Sequence, residues 1–370
     1  MLASTTAVDV PVPDSNPDEI AILWKQVCPP RATPKQSSEG SSLSNAQPFT
    51  VTPRSSNFSE AILKPRGILF NDKPWMISAF EHFGTKAPRE SYRNLEGLDH
   101  ANIWVEKSST EVTCIAAEFK EMRDLGLGGE EYATLAKEIF LLRERRSANV
   151  SPDRRWRVER MLQLACPPVE NGHWRVPPIL NSNAARNFEA KWSWDIRPDC
   201  TYWLSLKGFN QEYRCQIPNC AFVQDYITCP YFTVEFKQDG QSESVTERRV
   251  AAAGSLALFN RWYLYSEACK ANPSLPDNTP HIRHYALTYL GPKFVFWIIQ
   301  PTLKGSQWDG CTITRLFGAD CTDEFGVRQL IDWINEIHRW GLSEYGPRCE
   351  GDMRAILKIE NLLLEETRIT

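Results

Sequence analysis

The fold is decided by residues 231–237, which read YFTVEFK. Aromatic and β-branched residues dominate this segment, and such residues are typical of a β-strand. Because side chains on a strand alternate between its two faces, the three apolar side chains at even positions are predicted to enter a core. Thr233, Glu235 and Lys237 then share the opposite face. A carboxylate and an ammonium group on an otherwise apolar strand are costly unless they are paired or bind a ligand, so this face indicates a site.

A second strand is predicted at residues 201–206, and Asp199 stands just before it. If the two strands are neighbours in one sheet, Asp199 and Glu235 converge near the sheet edge. Two carboxylates suit a hard divalent cation such as Mg²⁺ or Mn²⁺, which prefers oxygen ligands. Such an ion would lower the pKa of a bound water and offset charge on a phosphate oxygen. Lys237 would then orient the attacking water or offset charge in the transition state.

The pair Pro198-Asp199, followed by Glu235-Phe236-Lys237, resembles the signature of the PD-(D/E)XK nuclease superfamily. From about residue 58 to its end, the chain is also similar to a group of fungal proteins described as PD-(D/E)XK nuclease-like. The similar segments include RGIL at 66–69, AAAGSLAL at 251–258 and LIDWI at 330–334. The resemblance implies that Asp199 and Glu235 are metal ligands and that Lys237 is the catalytic lysine.

The acid-x-Lys pattern by itself is not specific. It recurs at residues 118–120, in a predicted helix, and at residues 189–191, which precede the Pro-Asp pair instead of following it. A purely structural alternative is also open. In that alternative Glu235 and Lys237 form an edge-strand salt bridge, and Asp199 starts a turn.

Residues 151–165 are predicted to form a helix, because Ser151 and Pro152 are typical of a helix start. In the superfamily, a helix before the first core strand often supplies a further acidic residue. Glu159 is the candidate for that catalytic role, and Glu189 is the alternative.

Basic residues give candidates for contacts to DNA or RNA phosphates. Arg154 and Arg155 belong to the helix predicted at residues 151–165, which lies in the densest basic cluster of the chain. A solvated helix face is the alternative for that cluster. Arg248 and Arg249 stand near the start of a long predicted helix, where the resemblance implies a polar residue, often glutamine. Arginine at this place departs from the pattern but is compatible with phosphate.

The predicted fold class is α/β, or α+β, with a mixed β-sheet flanked by helices. The resemblance implies a restriction-endonuclease-like core with a helical N-terminal elaboration. Strands are predicted near residues 201–206, 231–237, 284–290, 294–300 and 311–317, and the flanking helices at 151–165, 245–269 and 325–340. Three segments are expected: a disordered Pro/Ser-rich tail (1–57), a mostly helical elaboration (58–150) and the nuclease-like core (151–370).

The composition limits the possible partners and the compartment. Net charge is −4 with a pI near 6.0, so any contact to nucleic acid must use a local basic patch. No apolar run reaches membrane-spanning length, and the chain has 11 cysteines but no secretory start. We therefore expect a soluble intracellular protein of the nucleus or cytoplasm, with no membrane partner. Free thiols are favoured over a structural zinc at Cys215, Cys220 and Cys229.

Three functions are compatible with these patterns. The first is a Mg²⁺-dependent phosphodiesterase that acts on DNA or RNA. The second is a catalytically inactive nuclease-fold module that binds a protein or nucleic acid, favoured by the acidic net charge and by the arginines in place of glutamine. The third, which has less support, is an interaction protein that binds a metal through cysteine.

Overall fold

The computed structural model describes residues 50–71, 76–89, 91–145, 156–180, 192–238 and 240–357. These residues belong to one compact unit, Pro48–Thr370. Most of the tail predicted to be disordered, residues 1–49, lies outside the described residues. Among the described residues, no helix combines the length and the apolar character needed to cross a bilayer.

The described residues contain one seven-stranded sheet with the order β1-β7-β6-β5-β4-β3-β2. Its strands are β1 Ile68–Asn71, β2 Val158–Met161, β3 Cys200–Ser205, β4 Ile227–Phe236, β5 His284–Leu290, β6 Lys293–Lys304 and β7 Gln307–Asp320. The pairs β1/β7 and β4/β5 are parallel, and the other pairs are antiparallel. The predicted mixed sheet is therefore confirmed, and each of the five predicted strands is present.

Helices flank the sheet, as predicted. The α-helices in the described residues are α1 Ala79–Phe83, α2 Ser109–Asp124, α3 Gly129–Ile139, α4 Gln211–Arg214, α5 Glu243–Ala271, α6 Glu324–Trp340 and α7 Gly346–Leu357. Parallel neighbours cannot be joined by a tight turn, so the chain passes from β4 to β5 through the long helix α5. This crossover lays α5 along the part of the sheet that contains β4 and β5.

The helix predicted at residues 151–165 is wrong over the part that the structure describes. Val158–Met161 forms the edge strand β2, which pairs with β3 in antiparallel register. Val158 is fully buried in the sheet core, and the guanidinium of Arg160 donates to backbone oxygens of Lys137 and Leu141. Tertiary pairing along β3 therefore outweighs the local helix signals. Residues 151–155, with the proposed helix start, lie outside the described residues.

The alternation predicted for β4 is confirmed. Phe232, Val234 and Phe236 pack in one buried cluster, together with residues of α6. The other face of the sheet is covered by α5, whose small residues allow a close approach. A Cβ atom on Gly254 would lie 2.9 Å from Cδ1 of Ile299, so the backbone of α5 rests almost directly on the sheet.

Two helix glycines provide a matched test of how closely the helices pack against their neighbours. A Cβ on Gly326 of α6 would overlap the backbone oxygen of Asp320, whereas a Cβ on Gly351 of α7 would meet nothing within 4 Å. Gly326→Ala should lower the free energy of unfolding by on the order of 3 kcal/mol. Gly351→Ala should raise it by up to about 1 kcal/mol, because alanine favours the helix. Urea unfolding measures both, and equal effects would contradict this packing.

A buried histidine gives a pH test of the core. Nδ1 of His338 lies 2.8 Å from the hydroxyl oxygen of Tyr231, and burial lowers the pKa of His338 from 6.5 to about 3. The unfolded chain therefore takes up this proton first, and stability falls as the pH drops below 6.5. His338→Gln should remove about 1.4 kcal/mol of this loss for each pH unit between 6 and 4. Parallel pH profiles of unfolding free energy for the two proteins would exclude a buried neutral His338.

Candidate functional site

The site is assembled by the register between β3 and β4. Cys200 of β3 is paired with Val234 of β4 in an antiparallel ladder. One residue outward, Asp199 therefore comes opposite Glu235, and side chains that are directly opposite in such a ladder project on the same face. That face is the one covered by α5. Two acids that are far apart in sequence are thus brought together by strand pairing alone.

Both acids are buried, and one of them also fixes the backbone. Asp199 and Glu235 are 7% and 1% exposed. The Oδ2 atom of Asp199 accepts a hydrogen bond of 2.9 Å from the backbone N–H of Phe236. Asp199 therefore closes the end of the ladder and holds the end of β4 against the start of β3.

Arg249 of α5 lies between the two carboxylates. Its Nη2 atom is 3.5 Å from Oδ1 of Asp199 and 3.0 Å from Oε2 of Glu235. The contact to Glu235 is within ion-pair distance, but Oε2 has no correctly aligned hydrogen-bond donor among the described residues. One guanidinium thus faces two acids, and one carboxylate oxygen has no hydrogen-bond partner.

Burial dominates the electrostatics of this pair. Removal from water raises the pKa of Glu235 well above its usual range; Arg249 opposes the rise, and the neighbouring Asp199 adds to it. A carboxyl group held in this way binds a proton or a cation in preference to standing as a lone charge. Burial therefore favours the protonated form of Glu235 unless a positive charge beside it offsets the cost of the carboxylate.

The acid pair adjoins a cavity of about 550 Å³, which both Glu235 and Arg249 line. Seven further polar or aromatic residues of its wall are Thr52, Arg54, Trp192, Asp195, Arg197, Gln238 and Gln241. The cavity therefore combines three guanidinium groups with amide donors and an indole ring. Such a wall can receive a phosphate group together with an adjoining sugar or base.

The amide groups in this wall form a short chain of hydrogen bonds. Arg54 donates to the Oε1 atom of Gln238 over 3.3 Å, and Nε2 of Gln241 donates to the same atom over 2.6 Å. The Oε1 atom of Gln241 is buried and has no hydrogen-bond partner in the described residues. A buried acceptor without a donor is a place where a ligand hydroxyl or amino group would be favoured.

The other two predicted catalytic residues, Lys237 and Glu159, are not among the described residues that line the cavity. Lys237 follows β4 and is half-buried, and its backbone N–H donates to the backbone oxygen of Tyr289. Glu159 lies on β2 and not on a helix. Its Oε1 atom accepts a hydrogen bond of 2.8 Å from Nε of Arg157. Its register partner Trp203 is four residues along β3 from Asp199, which corresponds to about 13 Å of strand.

The predicted phosphate contacts have different surroundings. Arg154 and Arg155 lie outside the described residues, as does Glu189. Arg248 is buried, and its guanidinium donates to the backbone oxygens of Ser244 and Ser55. Of these four arginines, only Arg249 is among the described residues that line the cavity.

Sequence reasoning missed that Arg249 is the counter-charge of the acid pair. A signal for it exists, since only a short segment separates Glu235 from α5. The second turn of a helix that folds back along β4 can therefore reach the end of that strand. The contributions of Asp195 and Gln241 to the cavity were also missed, and no pattern in the sequence marks them.

In the described part of the chain, no group of three or more His, Cys, Asp or Glu side chains is arranged to hold a metal ion. Cys215, Cys220 and Cys229 are all free thiols. Of these three, Cys220 is buried, Cys229 is half-buried and Cys215 is exposed. The acid pair is thus a two-carboxylate arrangement to which Arg249 adds the positive charge.

Comparison of the chain with protein-family models, with curated proteins and with solved structures gives no match. The assignment of a function therefore depends on the geometry of the site and on the resemblance of the motif.

The hydrogen bond from Phe236 to Asp199 can be tested through stability. Asp199→Ala leaves a buried N–H group without an acceptor, so it should lower the free energy of unfolding by about 1–3 kcal/mol. Asp199→Asn retains an acceptor oxygen and should lower it less. Asp195→Ala is a control from the same cavity, because Asp195 pairs with the exposed Arg197. A loss as large for Asp195→Ala as for Asp199→Ala would contradict the structural role of Asp199.

Proposed function

We propose that the chain is a nuclease-like protein in which Asp199 and Glu235 form the metal-binding acid pair of a phosphodiester-hydrolysing site. The observation that carries this proposal is the juxtaposition of these two buried carboxylates, of which Glu235 lines a cavity of about 550 Å³. The motif that suggested them is a short signature, and the strand register that brings Asp199 opposite Glu235 supports the proposal. We propose DNA or RNA as the substrate.

The donor set fits Mg²⁺ or Mn²⁺. Both side chains offer hard oxygen atoms, and the contact of Oε2 of Glu235 with Nη2 of Arg249 is an ion pair without the alignment of a hydrogen bond. Mg²⁺ is commonly held by only one or two carboxylates and retains several waters, so a third protein ligand is not required. Asp199 and Glu235 would hold the ion, which when bound lowers the pKa of a water and offsets charge on a phosphate oxygen.

The remaining side chains of the cavity suit substrate binding. Arg54 and Arg197 place guanidinium groups at the wall, where they would bind phosphate oxygens by charge-assisted hydrogen bonds. Trp192 offers an aromatic surface to a sugar or base. This local arrangement agrees with a chain whose net charge is −4, because the positive charge is needed only where the backbone is bound. The role of Lys237 in orienting the water rests on the motif resemblance.

A second candidate function is a catalytically inactive module that binds nucleic acid or protein through the same cavity. The contact of Arg249 with both acids favours it, since the guanidinium supplies the positive charge that an ion would otherwise bring. The separation of Glu159 from the acid pair favours it as well.

Cleavage assays distinguish the two functions. Purified protein should cleave labelled single- or double-stranded DNA or RNA with Mg²⁺ or Mn²⁺. Asp199→Asn and Glu235→Gln should each lower the rate on the order of 100-fold or more, because each removes a negatively charged ligand from the reacting centre. Asp195→Asn, in the same cavity, should retain activity within a few-fold.

Equal cleavage by the wild-type protein and both acid variants would assign the activity to a contaminant or to another site. No cleavage, with retained binding of an oligonucleotide that Arg197→Gln weakens, would favour the inactive module. In that case each lost phosphate contact should reduce the slope of log affinity against log salt by about 1.

A further inference from the structure

We infer that Arg249 is a tethered cation that competes with a divalent ion for the acid pair, so that the site is closed until this side chain moves into the cavity. The inference rests on the proposed function and concerns the regulation of the same site. Asp199 and Glu235 carry at most two negative charges, and Arg249 supplies one positive charge to both.

The contact geometry makes the two cations mutually exclusive. Nη2 of Arg249 stands 3.5 Å from Oδ1 of Asp199 and 3.0 Å from Oε2 of Glu235. An ion that took oxygen ligands from both carboxylates would need the space that Nη2 fills. Binding of one cation therefore excludes the other at these two oxygens.

The surroundings of Arg249 allow it to leave. Its side chain is 21% exposed and borders the 550 Å³ cavity, so the guanidinium has space beside the pair. Within the described residues its ion-pair partners are Asp199 and Glu235 alone. The preceding residue, Arg248, is fixed by backbone oxygens of Ser244 and Ser55. Of these adjacent arginines, Arg249 is thus the one held by the acid pair.

A phosphate group in the cavity would give Arg249 another partner. The guanidinium would exchange two carboxylates for phosphate oxygens, and the acid pair would become free for the ion. Binding of a phosphodiester and of the divalent ion would then favour each other, because coupling between two sites is reciprocal. The site would open when its substrate is present.

Mn²⁺ binding without nucleic acid tests the competition. The affinity of wild-type protein, Arg249→Gln and Arg54→Gln for Mn²⁺ is measured by calorimetry and by the electron spin resonance signal of free Mn²⁺. Arg249→Gln should bind Mn²⁺ about 5- to 150-fold more tightly than wild type, the usual range of coupling between sites. Arg54→Gln removes the same charge from the same cavity without touching the acid pair, so its change should be much smaller. Adding Glu235→Gln to Arg249→Gln should remove the gain.

An Arg249→Gln protein that binds Mn²⁺ no more tightly than Arg54→Gln would overturn the inference. If Arg249→Gln does not fold in the absence of metal, Arg249→Lys is measured in its place, since the shorter side chain retains the charge but loses the double contact. Tighter Mn²⁺ binding by Arg249→Lys supports the inference, and unchanged binding overturns it.

These outcomes are separable from the failure of the proposed function. Tight Mn²⁺ binding by Arg249→Gln with no cleavage of any nucleic acid would support the competition between the two cations and would exclude the proposed catalysis. Cleavage by wild-type protein with unchanged Mn²⁺ affinity in the variants would support the catalysis and would exclude the competition between the two cations.

Discussion

The burial of two carboxylates side by side, with one arginine between them, is the constraint on which the site depends. Glu235 is almost completely removed from water and sits beside Asp199, and such a pair is strongly unfavourable without a positive charge. Asp199 is also bonded to the N–H of Phe236, so it cannot turn away without breaking the end of the ladder. The pair must therefore hold a proton, a guanidinium or a metal ion.

The sheet and the long helix make this constraint possible. Parallel pairing of β4 with β5 requires a crossover, and α5 provides it by running back along the sheet. Gly254 lets α5 lie close to Ile299. This close packing brings the second turn of α5 beside the end of β4. Arg249 is in that turn. The position of the charge opposite the acids thus follows from the topology and from small residues in α5.

Much of this arrangement was predictable from local patterns. The alternation in β4, the strand after Asp199 and the long helix with small residues follow from rules of periodicity, and the structure confirms them. The region around Val158 was not predictable in this way, because its strand forms only through pairing with β3. The ion-pair partner of Glu235 also depends on tertiary structure. The sequence offered a salt bridge to Lys237 only as the alternative to a metal site, whereas the fold supplies Arg249 from a different element.

Anomalous scattering from Mn²⁺-soaked crystals tests the central claim most directly, because it locates the ion and the arginine in one measurement. At saturating Mn²⁺, a peak between the carboxylates of Asp199 and Glu235 is expected, with the guanidinium of Arg249 turned into the cavity. Manganese bound elsewhere, with Arg249 still in contact with both acids, would contradict the claim that one place in this fold accepts either cation.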